Sequence, residues 1–507
     1  MDKLRFTIID GATSYLLDNS PIGWDDCFMK LSMWNEWFGM NTEYTNRLKF
    51  VKYGARILRT IYYTNNPIIT NYPLYLKIEI LDGLNLTYTD YKIFKFDFFT
   101  FKDSKNYVEI NLVLNDLTQL LKKNINTTYT LPGLTPPYLW SECLYFDPNH
   151  TPSGMKVETL IQHLFDKITN GAYTLGTYDL STTLNLNNVD AALFVVNGQC
   201  IRDQAYYPTI SISFNDLLKS LNTIWDIGMG IEIIGGKETL VIVDDKSYFK
   251  NSSVIIENVG NIIDINMSTY QELLFGTMDL GYEKRDTLGS INTEFNYVNN
   301  YSFNINNANK LDFVSKIRAS MSDVDYLINN NTYENWDYDL FFIMGYKIPP
   351  DDTYYPSATN LRKKYNPAII FNVFNSFLSP YRCALRKQKY FDSLRLNQSI
   401  DIVWTGSNCD NINNQVLLNG VWTNEYSNIS NNNSAFFYPI IFEFTAKFSK
   451  DFYLNYAANN KGAIEFIYNN TVFSGFILEL EINPSKNFES KIKLLSSANN
   501  DITKLIQ

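Results

Sequence analysis

The chain has 507 residues, of which 45% are hydrophobic, 15% aromatic and 19% charged. This composition excludes a disordered chain, and the length predicts about three or four domains. The formal net charge of −10 disfavours stable binding to a nucleic-acid duplex, and the two histidines are too few for a three-histidine zinc site.

Cysteine use and the absence of targeting signals narrow the class of protein further. The cysteines are odd in number and widely spaced, and no CxxC pair occurs, which disfavours a disulfide framework or a zinc ribbon. We predict reduced thiols, mostly buried, in a protein made in a cytosol. The N-terminal segment lacks the apolar core of a signal peptide, and runs such as Ala191–Val196 are too short to span a bilayer. The cysteines are Cys27, Cys143, Cys200, Cys383 and Cys409.

Residues 1–130 form the first predicted domain, an N-terminal β domain. Three segments alternate apolar and polar residues, which gives each predicted strand one apolar face. A helix with apolar residues at near-helical spacing is predicted at Phe50–Tyr63, although Gly54 lies inside it. The three apolar faces are Leu74, Leu76, Ile78 and Ile80; Phe94, Phe96 and Phe98; and Val108, Ile110, Leu112 and Leu114.

A proline-marked linker, Leu131–Tyr138, leads to the second predicted domain, an α+β domain at residues 139–286. Ser213 is the predicted N-cap of its second helix, and Gly171 is the predicted C-cap of its first. A hairpin, GIEII and TLVIVD around GGKE, follows the second helix. The apolar positions at helical spacing are Val157, Leu160, Ile161, Leu164, Phe165 and Ile168, then Phe214, Leu217, Leu218, Leu221, Ile224 and Trp225.

Residues 287–390 are predicted to form a mixed, irregular domain, and residues 391–507 a C-terminal β-sandwich. In the mixed domain, Lys310–Ile328 and Asn366–Gln388 are the predicted helices. In the C-terminal domain, two strands flank Asn469-Asn470, and a period of two places one set of residues on an apolar face: Phe442, Phe444, Ala446 and Phe448. The predicted fold class is therefore a β-rich, multidomain α+β fold.

Nucleophilic catalysis would require one of the two histidines. His163 lies off the apolar stripe of its predicted helix, so we interpret it as a solvent-facing residue. Cys143 and His150 could pair across a turn, but Glu142 and Asp147 nearby disfavour the thiolate form of the cysteine. No GxSxG elbow occurs. The sequence therefore assigns no catalytic residue.

Phosphate-binding and carboxylate motifs are equally weak. Ile227–Gly236 is rich in glycine, but the predicted order is helix, GxG, strand, which a dinucleotide site does not use. Adjacent carboxylates occur at Asp25-Asp26, Asp244-Asp245 and Asp351-Asp352, and neighbours on a strand point to opposite faces. No EF-hand spacing occurs. We therefore predict no cofactor-binding and no metal-binding residue.

Aromatic residues cluster in two segments and leave three roles open. These are core packing, a subunit interface and stacking against sugars. The residues are Trp24, Trp34 and Trp37, then Tyr333, Trp336 and Tyr338.

Three stretches of the chain together resemble a known family. They are Lys49–Tyr63 with Phe96–Pro132, then Asn197–Lys250, then Gly462–Leu495. In this order they resemble a large tail protein of crAss-like phages of gut bacteria. The middle stretch, a helix and a hairpin ending in LVIVDD, is also similar to the ring-forming hub domain of other phage tails. The resemblance covers about three-quarters of the chain and is weakest at Thr287–Asp392.

The resemblance implies a structural subunit of the tail hub or baseplate in the virion tail, made in the host cytoplasm, and no enzyme. Its implied partners are copies of itself in a ring and other tail proteins. DNA would pass through the ring without specific binding, since acidic walls repel phosphate. Two alternatives stay open. A glycan-binding adsorption protein would expose a ledge of Trp and Tyr, and a capsule depolymerase would hold two carboxylates about 5–9.5 Å apart in one groove.

Overall fold

The structure is a computed structural model of the whole chain. It describes residues 4–24, 28–45, 47–67, 72–81, 87–114, 117–131, 143–145, 152–176, 191–203, 209–234, 237–283, 298–303, 309–319, 327, 336–347, 354–356, 378, 380–394, 403–404, 415–418, 421–424, 435–448, 452, 461–482 and 489–505.

Strands dominate the secondary structure. Those of residues 4–131 are β1 (Leu4–Asp10), β2 (Thr13–Leu16), β3 (Phe28–Met33), β4 (Met40–Thr45), β5 (Arg47–Val51), β6 (Leu74–Leu81), β7 (Tyr88–Ser104), β8 (Tyr107–Leu114) and β9 (Thr128–Leu131). Those of residues 143–282 are β10 (Cys143–Tyr145), β11 (Pro152–Lys156), β12 (Thr174–Leu175), β13 (Ala191–Asn197), β14 (Ile210–Ser213), β15 (Gly228–Ile234), β16 (Lys237–Val243), β17 (Asn251–Asn261), β18 (Asn266–Thr269) and β19 (Thr277–Tyr282).

The remaining strands are β20 (Val298–Ser302), β21 (Lys310–Ser315), β22 (Leu340–Lys347), β23 (Tyr354–Pro356), β24 (Val403–Trp404), β25 (Gln415–Leu418), β26 (Val421–Asn424), β27 (Phe437–Lys447), β28 (Gly462–Tyr468), β29 (Thr471–Ile482) and β30 (Glu489–Ser497). The α-helices of the described residues are α1 (Lys52–Asn65), α2 (Leu117–Asn124), α3 (Val157–Thr169), α4 (Gly198–Asp203), α5 (Phe214–Ile224), α6 (Pro380–Arg386) and α7 (Gln388–Ser393). Short 3₁₀ turns occupy Lys246–Phe249, Gln271–Leu273 and Ile502–Leu505.

The N-terminal sheet has the strand order β2-β1-β6-β7-β8-β5 and its own hydrophobic core. The predicted alternation is confirmed, since Leu76, Phe94 and Ile110 are buried beneath α1 along with the other described members of the three apolar sets. The predicted helix is confirmed with a shift, because Phe50 belongs to β5 and the helix begins at Lys52.

The central region contains a closed barrel, β10-β11-β13-β22-β23, and a three-stranded sheet, β12-β16-β15. Helices α3 and α5 contact each other, and their predicted apolar positions are buried. Ser213 caps α5 as predicted, because its Oγ accepts the backbone N–H of Asp216 at 3.0 Å. At the end of α3 the C-cap is Asn170, with Gly171 following it, and both residues have positive φ.

The predicted helix at Lys310–Ile328 is wrong over its first six residues. Residues Lys310–Ser315 form β21, which pairs in parallel with β19. Phe313 and Ser315 are buried, whereas Asp312 is exposed and Val314 is half-buried, a period of two that the sheet stabilises through hydrogen bonds from β19. Of the predicted helix at Asn366–Gln388, the described part includes α6, while residues 366–377 lie outside the described residues.

The C-terminal sheet has the order β17-β28-β29-β30-β27-β18 and curls on itself. A flat sheet of six strands would be about 24 Å wide between its edges. The edge strands β17 and β18 are separated along the chain only by the step from Asn261 to Asn266, which spans at most about 18 Å. The turn between β28 and β29 is predicted correctly, since Asn469 and Asn470 both have positive φ, as a tight hairpin requires.

Strands that are distant in sequence complete this sheet. The hairpin of β3 and β4 joins it through the pairing of β3 with β29. The predicted apolar face of β27 is buried, and it includes Phe442 and Phe444. The fold is therefore a β-rich α+β fold with several sheets, while the division into four domains stays a prediction. Within the described residues, no helix is long and apolar enough to cross a membrane.

Candidate functional site

The histidine and cysteine hypotheses receive no support from the described residues. His163 lies on α3 and is half-buried, and His150 lies outside the described residues. The backbone of Cys143 belongs to β10, and its side chain is also outside the described part. Cys200 and Cys383 are buried, and neither forms a disulfide. The Cys143–His150 pair therefore lies outside the described side chains.

The carboxylate and glycine motifs have structural roles where they are described. The Asp244 carbonyl oxygen accepts the N–H of Asp226, and the Asp245 carboxylate accepts the N–H of Ser247 at 2.9 Å. Asp25-Asp26 and Asp351-Asp352 lie outside the described residues. The glycine-rich stretch leads into β15, which pairs antiparallel with β16 as the predicted hairpin requires, and Gly235 and Gly236 lie outside the described residues. Among the described side chains, no group of three or more His, Cys, Asp or Glu residues could hold a metal ion.

Three lysines and one aspartate lie together in the core. We call Asp226, Lys246, Lys250 and Lys387 the buried lysine cluster, and none of them is more than 5% exposed. Lys246 Nζ lies 3.2 Å from Asp226 Oδ1 and 4.2 Å from the centre of the Tyr390 ring. The cluster therefore combines one buried ion pair with cation–π contacts.

Two cationic side chains donate hydrogen bonds to backbone carbonyl groups at the C-terminus of α5. Lys387 Nζ donates to the backbone oxygens of Asn222 and Trp225, and Arg386 Nε donates to that of Ile224 at 2.7 Å. The last carbonyl groups of a helix lack partners within the helix and carry partial negative charge. Lys387 and Arg386 therefore bind α6 and the residue after it to the C-terminus of α5.

Burial dominates the electrostatics of the cluster. It lowers the pKa of Lys250 to about 7 and that of Lys387 to about 7, although the nearby Asp226 charge opposes the second shift. Burial also raises the pKa of Asp226, against the opposing charges of Lys246 and Lys387. Because these groups are shielded from solvent, they cannot meet a substrate, and we interpret the cluster as structural.

The cluster holds a loop from the N-terminal hairpin. The Trp34–Gly39 loop joins β3 to β4, and its Phe38 is fully buried with positive φ. Lys250 Nζ donates to the Phe38 carbonyl oxygen at 2.9 Å, and Lys246 Nζ donates to that of Glu36 at 3.3 Å. The loop is thereby tied to the central region by cations that the hairpin itself does not contain.

The Trp34–Gly39 loop also packs closely against the backbone of β15. The N–H of Met229 donates to the carbonyl oxygen of Trp37 at 3.1 Å. A Cβ on Gly39 would lie 1.9 Å from the Met229 carbonyl oxygen, so only glycine fits there. A Cβ on Gly230 would meet the Phe249 ring at 2.7 Å. The glycines of GMG therefore allow close approach of backbone segments and do not form a phosphate site.

Sequence reasoning missed the buried lysine cluster because charged residues are usually exposed. One signal was present across α6, Lys387 and α7, where Cys383, Lys387 and Phe391 recur at intervals of four and are all buried. Lys246 and Lys250 flank the buried Phe249, again four residues apart. Such spacing marks a lysine on an apolar face.

The aromatic residues singled out by sequence have different environments. Trp24, Trp37 and Trp336 are buried, as core packing predicts, while Tyr338 is 89% exposed and Tyr333 lies outside the described residues. Trp34 is half-buried and lines a cavity of about 230 Å³ beside the Trp34–Gly39 loop, which we call the Trp34 cavity. Its other walls include Trp37, Asn35, Glu36, Lys122 and Asn215.

A second aromatic group, which sequence reasoning did not single out, lies on the surface of the N-terminal domain. We call Tyr62, Tyr63, Phe99 and Phe101 the aromatic patch. Phe99 is 80% exposed and Tyr63 is 69% exposed. The rings of Tyr62 and Phe101 stack with centres 3.9 Å apart, and Tyr63 OH donates to Asp103 at 3.1 Å. These contacts order Tyr62, Tyr63 and Phe101, and Phe99 precedes Phe101 by two residues on β7.

A bulge in β7 presents the patch. The register between β7 and β8 shifts between Asp97 and Lys102. Thr100 Oγ1 donates to the Asp97 carbonyl oxygen at 2.7 Å and accepts the N–H of Asn111 at 2.9 Å. The N–H of Phe99 donates to the Asp97 carboxylate at 3.2 Å. These bonds fix the bulge, so Phe99 points outward from a defined backbone.

Comparison with known proteins gives low similarity. No family model matches the chain, and no curated protein matches it. One solved structure that aligns over most of the chain is prophage tail protein gp18 from Listeria monocytogenes EGD-e, with 8% identity, a TM-score of 0.35, and coverage of 99% of this chain and 98% of gp18. Another is a tail protein from Neisseria meningitidis MC58, with 7% identity, a TM-score of 0.36, and coverage of 98% of this chain and 97% of the Neisseria protein. A third is the 43 kDa tail protein of prophage MuSo2 from Shewanella oneidensis, with 9% identity, a TM-score of 0.36, and coverage of 98% of this chain and 97% of the MuSo2 protein. These TM-scores are too low to assign a shared fold.

Proposed function

We propose that the chain is a structural subunit of a phage virion tail, which forms a ring in the tail hub or baseplate through which DNA is ejected. The resemblance of three stretches of its sequence to a tail protein of crAss-like phages supports this assignment. Its partners are copies of itself and other tail proteins, and it performs no catalysis. The solved structures above carry related names, but their TM-scores are below 0.5, so we base the proposal on the sequence resemblance and on surface chemistry.

The aromatic patch is the observation that carries the proposal. Phe99 and Tyr63 expose most of their side chains, and exposed apolar clusters mark surfaces that other proteins cover. Aromatic residues are also enriched at subunit interfaces. A second exposed apolar group lies at the hairpin end of the C-terminal sheet, where Ile263 is 96% exposed and Val472 57% exposed. Two separate apolar surfaces suit a subunit with neighbours on two sides, as in a ring.

Contacts in the interior join segments that are distant in the sequence. The buried lysine cluster joins α5, α6 and the Trp34–Gly39 loop, and β3 pairs with β29 from the other end of the chain. Long-range ties of this kind make the segments cooperate as one body. An acidic chain, with a net charge of −10, also suits a channel, because negative walls repel DNA phosphate and let it slide.

Light scattering and electron microscopy test the proposal. We expect the purified chain to form a closed ring that is visible by negative-stain electron microscopy. Phe99→Glu places a charge in the aromatic patch and should shift the chain towards monomer at the same concentration. Tyr338→Glu is the matched control, since Tyr338 is exposed but lies outside the patch. A chain that stays monomeric at high concentration and is absent from purified virions would refute the proposal.

A further inference from the structure

We propose that Lys246 and Asp226 become joined covalently, through an amide bond between Lys246 Nζ and Asp226 Cγ that forms with loss of water. The two side chains are 1% and 2% exposed, and Lys246 Nζ lies 3.2 Å from Asp226 Oδ1. The carboxyl carbon is one bond from Oδ1, so a small rotation of either side chain brings Nζ to the distance of about 3–3.5 Å at which bond formation begins. Such a bond would form in the folded chain whatever its biological role.

The backbone fixes the two residues side by side at the open end of the hairpin of β15 and β16. The N–H of Lys246 donates to the Asp226 carbonyl oxygen at 2.7 Å, and the N–H of Asp226 donates to the Asp244 carbonyl oxygen at 3.1 Å. Gly228 packs closely on the same segment, because a Cβ there would lie 2.8 Å from Lys246 Cα. Two groups held in this way react as parts of one molecule, without the entropy cost of an encounter.

The contact leaves a buried charge incompletely satisfied. Asp226 Oδ1 is buried and accepts no hydrogen bond of normal geometry from the described residues, although Lys246 Nζ is close to it. A buried ion pair remains costly unless hydrogen bonds satisfy its remaining lone pairs and protons. Condensation removes both charges and releases one carboxyl oxygen as water, so the buried product is neutral.

Aromatic rings surround the amine and keep water away from it. Lys246 Nζ lies 4.2 Å from the centre of the Tyr390 ring. The rings of Phe38 and Phe313 follow at 5.2 Å and 5.8 Å, and none of the three residues is more than 5% exposed. In bulk water the high concentration of water opposes condensation. A site that excludes water removes this opposition and protects the amide from hydrolysis.

The step balances without an oxidant, a cofactor or a second substrate. Burial raises the pKa of Asp226, which favours transfer of a proton from Lys246 Nζ to the carboxylate. The amine then has an unshared electron pair, which attacks Cγ and forms the C–N bond. The Cγ–OH bond breaks, and the hydroxyl group leaves as water with a second proton from Nζ. The positive charge of Lys387 acts on Asp226 and stabilises the negative charge that develops on the remaining oxygen.

The other lysines of the buried lysine cluster make different contacts. Lys250 Nζ donates to the carbonyl oxygens of Phe38 and Phe249, and Lys387 Nζ donates to backbone oxygens of α5 and the residue after it. Lys246 is the member whose Nζ contacts a carboxylate among the described residues. Its amide would close residues 226–246 into a ring that contains β15 and β16, and would restrict the unfolded chain as a disulfide does.

Mass spectrometry of the full chain tests the proposal. We expect the intact mass to lie about 18 Da, one water, below the mass calculated from the sequence. Trypsin should release residues 220–237 and residues 238–250 as one branched species, uncut after Lys246. Its tandem spectrum should contain two series of C-terminal fragments, one ending at Lys237 and one at Lys250, which a linear peptide cannot give.

Variants locate the bond. Lys246→Met and Asp226→Ala should each restore the full mass, and Lys250→Met is the matched control that should keep the loss of water. A loss that persists in Lys246→Met, or disappears in a Lys250→Met chain with unchanged circular dichroism, would contradict the proposal. The wild-type spectrum is decisive even where a substitution disturbs folding. A wild-type mass equal to that of the sequence, or a branched peptide joined through another lysine, would overturn the assignment.

Discussion

The buried lysines predict that stability rises with pH through the mildly alkaline range. In the folded chain the pKa of Lys250 falls from 10.5 to about 7, and so does that of Lys387. Below about pH 7 both states hold these protons, and the cost of burying the charges is fully present. Between about pH 7 and pH 10.5 the unfolded state binds more protons than the folded state, so the free energy of unfolding increases with pH. Above that range the cost has disappeared.

The magnitude follows from the size of the shift. One proton per lysine gives about 1.4 kcal/mol per pH unit, so each lysine adds about 2 kcal/mol from about pH 7.5 to about pH 9. Replacing Lys250 by Met should therefore remove about half of the rise due to the pair. The net stability of Lys250→Met at a single pH is a poorer readout, because the variant also leaves the Phe38 carbonyl oxygen without its donor.

Urea denaturation at several pH values measures this slope. The emission of buried tryptophans such as Trp225 reports unfolding, and m should stay constant along the series. Lys250→Met and Lys387→Met should each flatten the slope, and the double variant should flatten it further. Lys447→Met is the control, since Lys447 is exposed on β27 and should leave the slope unchanged. A wild-type slope equal to that of the double variant would refute the reasoning.

Three further substitutions test local features. Gly39→Ala should lower the free energy of unfolding in urea by more than about 2 kcal/mol, because its Cβ would overlap the Met229 carbonyl oxygen. Gly11→Ala should lower it by only about 1 kcal/mol, since the space around Gly11 is open and only its positive φ is strained. Ser213→Ala should cost about 1 kcal/mol and Ser213→Thr less, and equal losses would contradict the assigned cap of α5. In thermal unfolding, Asn470→Gly should leave the stability of the chain unchanged or raise it slightly, and Asn470→Val should lower it by about 1–2 kcal/mol. The reverse order would contradict the positive φ of this turn.

Local patterns predicted the parts of the fold that depend on neighbours in sequence. The apolar stripes of α3 and α5, the Ser213 cap and the Asn469-Asn470 turn all follow from interactions within a few residues. The segment at Lys310 shows the limit of this reasoning. KLDFVS has apolar residues compatible with either period, and pairing with β19, more than 25 residues away, decides for a strand.

The candidate sites were less predictable, because they are assembled from distant segments. The Trp34 cavity joins the N-terminal loop to α2 and the start of α5, and only Trp34 and Trp37 were visible as candidates in the sequence. The alternation of Phe94, Phe96 and Phe98 does not single out Phe99, because the bulge that turns Phe99 outward depends on the register with β8. Sequence identifies residue types suited to an interface or to sugar stacking, and only the fold decides which of them are exposed.

The two hydrophobic cores make these sites thermodynamically separable. Tyr62 and Phe101 of the aromatic patch pack on the core of the N-terminal sheet, whereas the neighbours of the buried lysine cluster and the apolar walls of the Trp34 cavity belong to the larger core. Phe99 bonds to Asp97 within β7, whereas Lys250 bonds to the carbonyl oxygens of Phe38 and Phe249. Effects of substitutions at distant sites without shared partners usually add to within about 0.3–0.5 kcal/mol. Phe99→Glu should therefore disrupt assembly without changing the pH slope set by Lys250, and any coupling between the two would mean that assembly reaches into the central core.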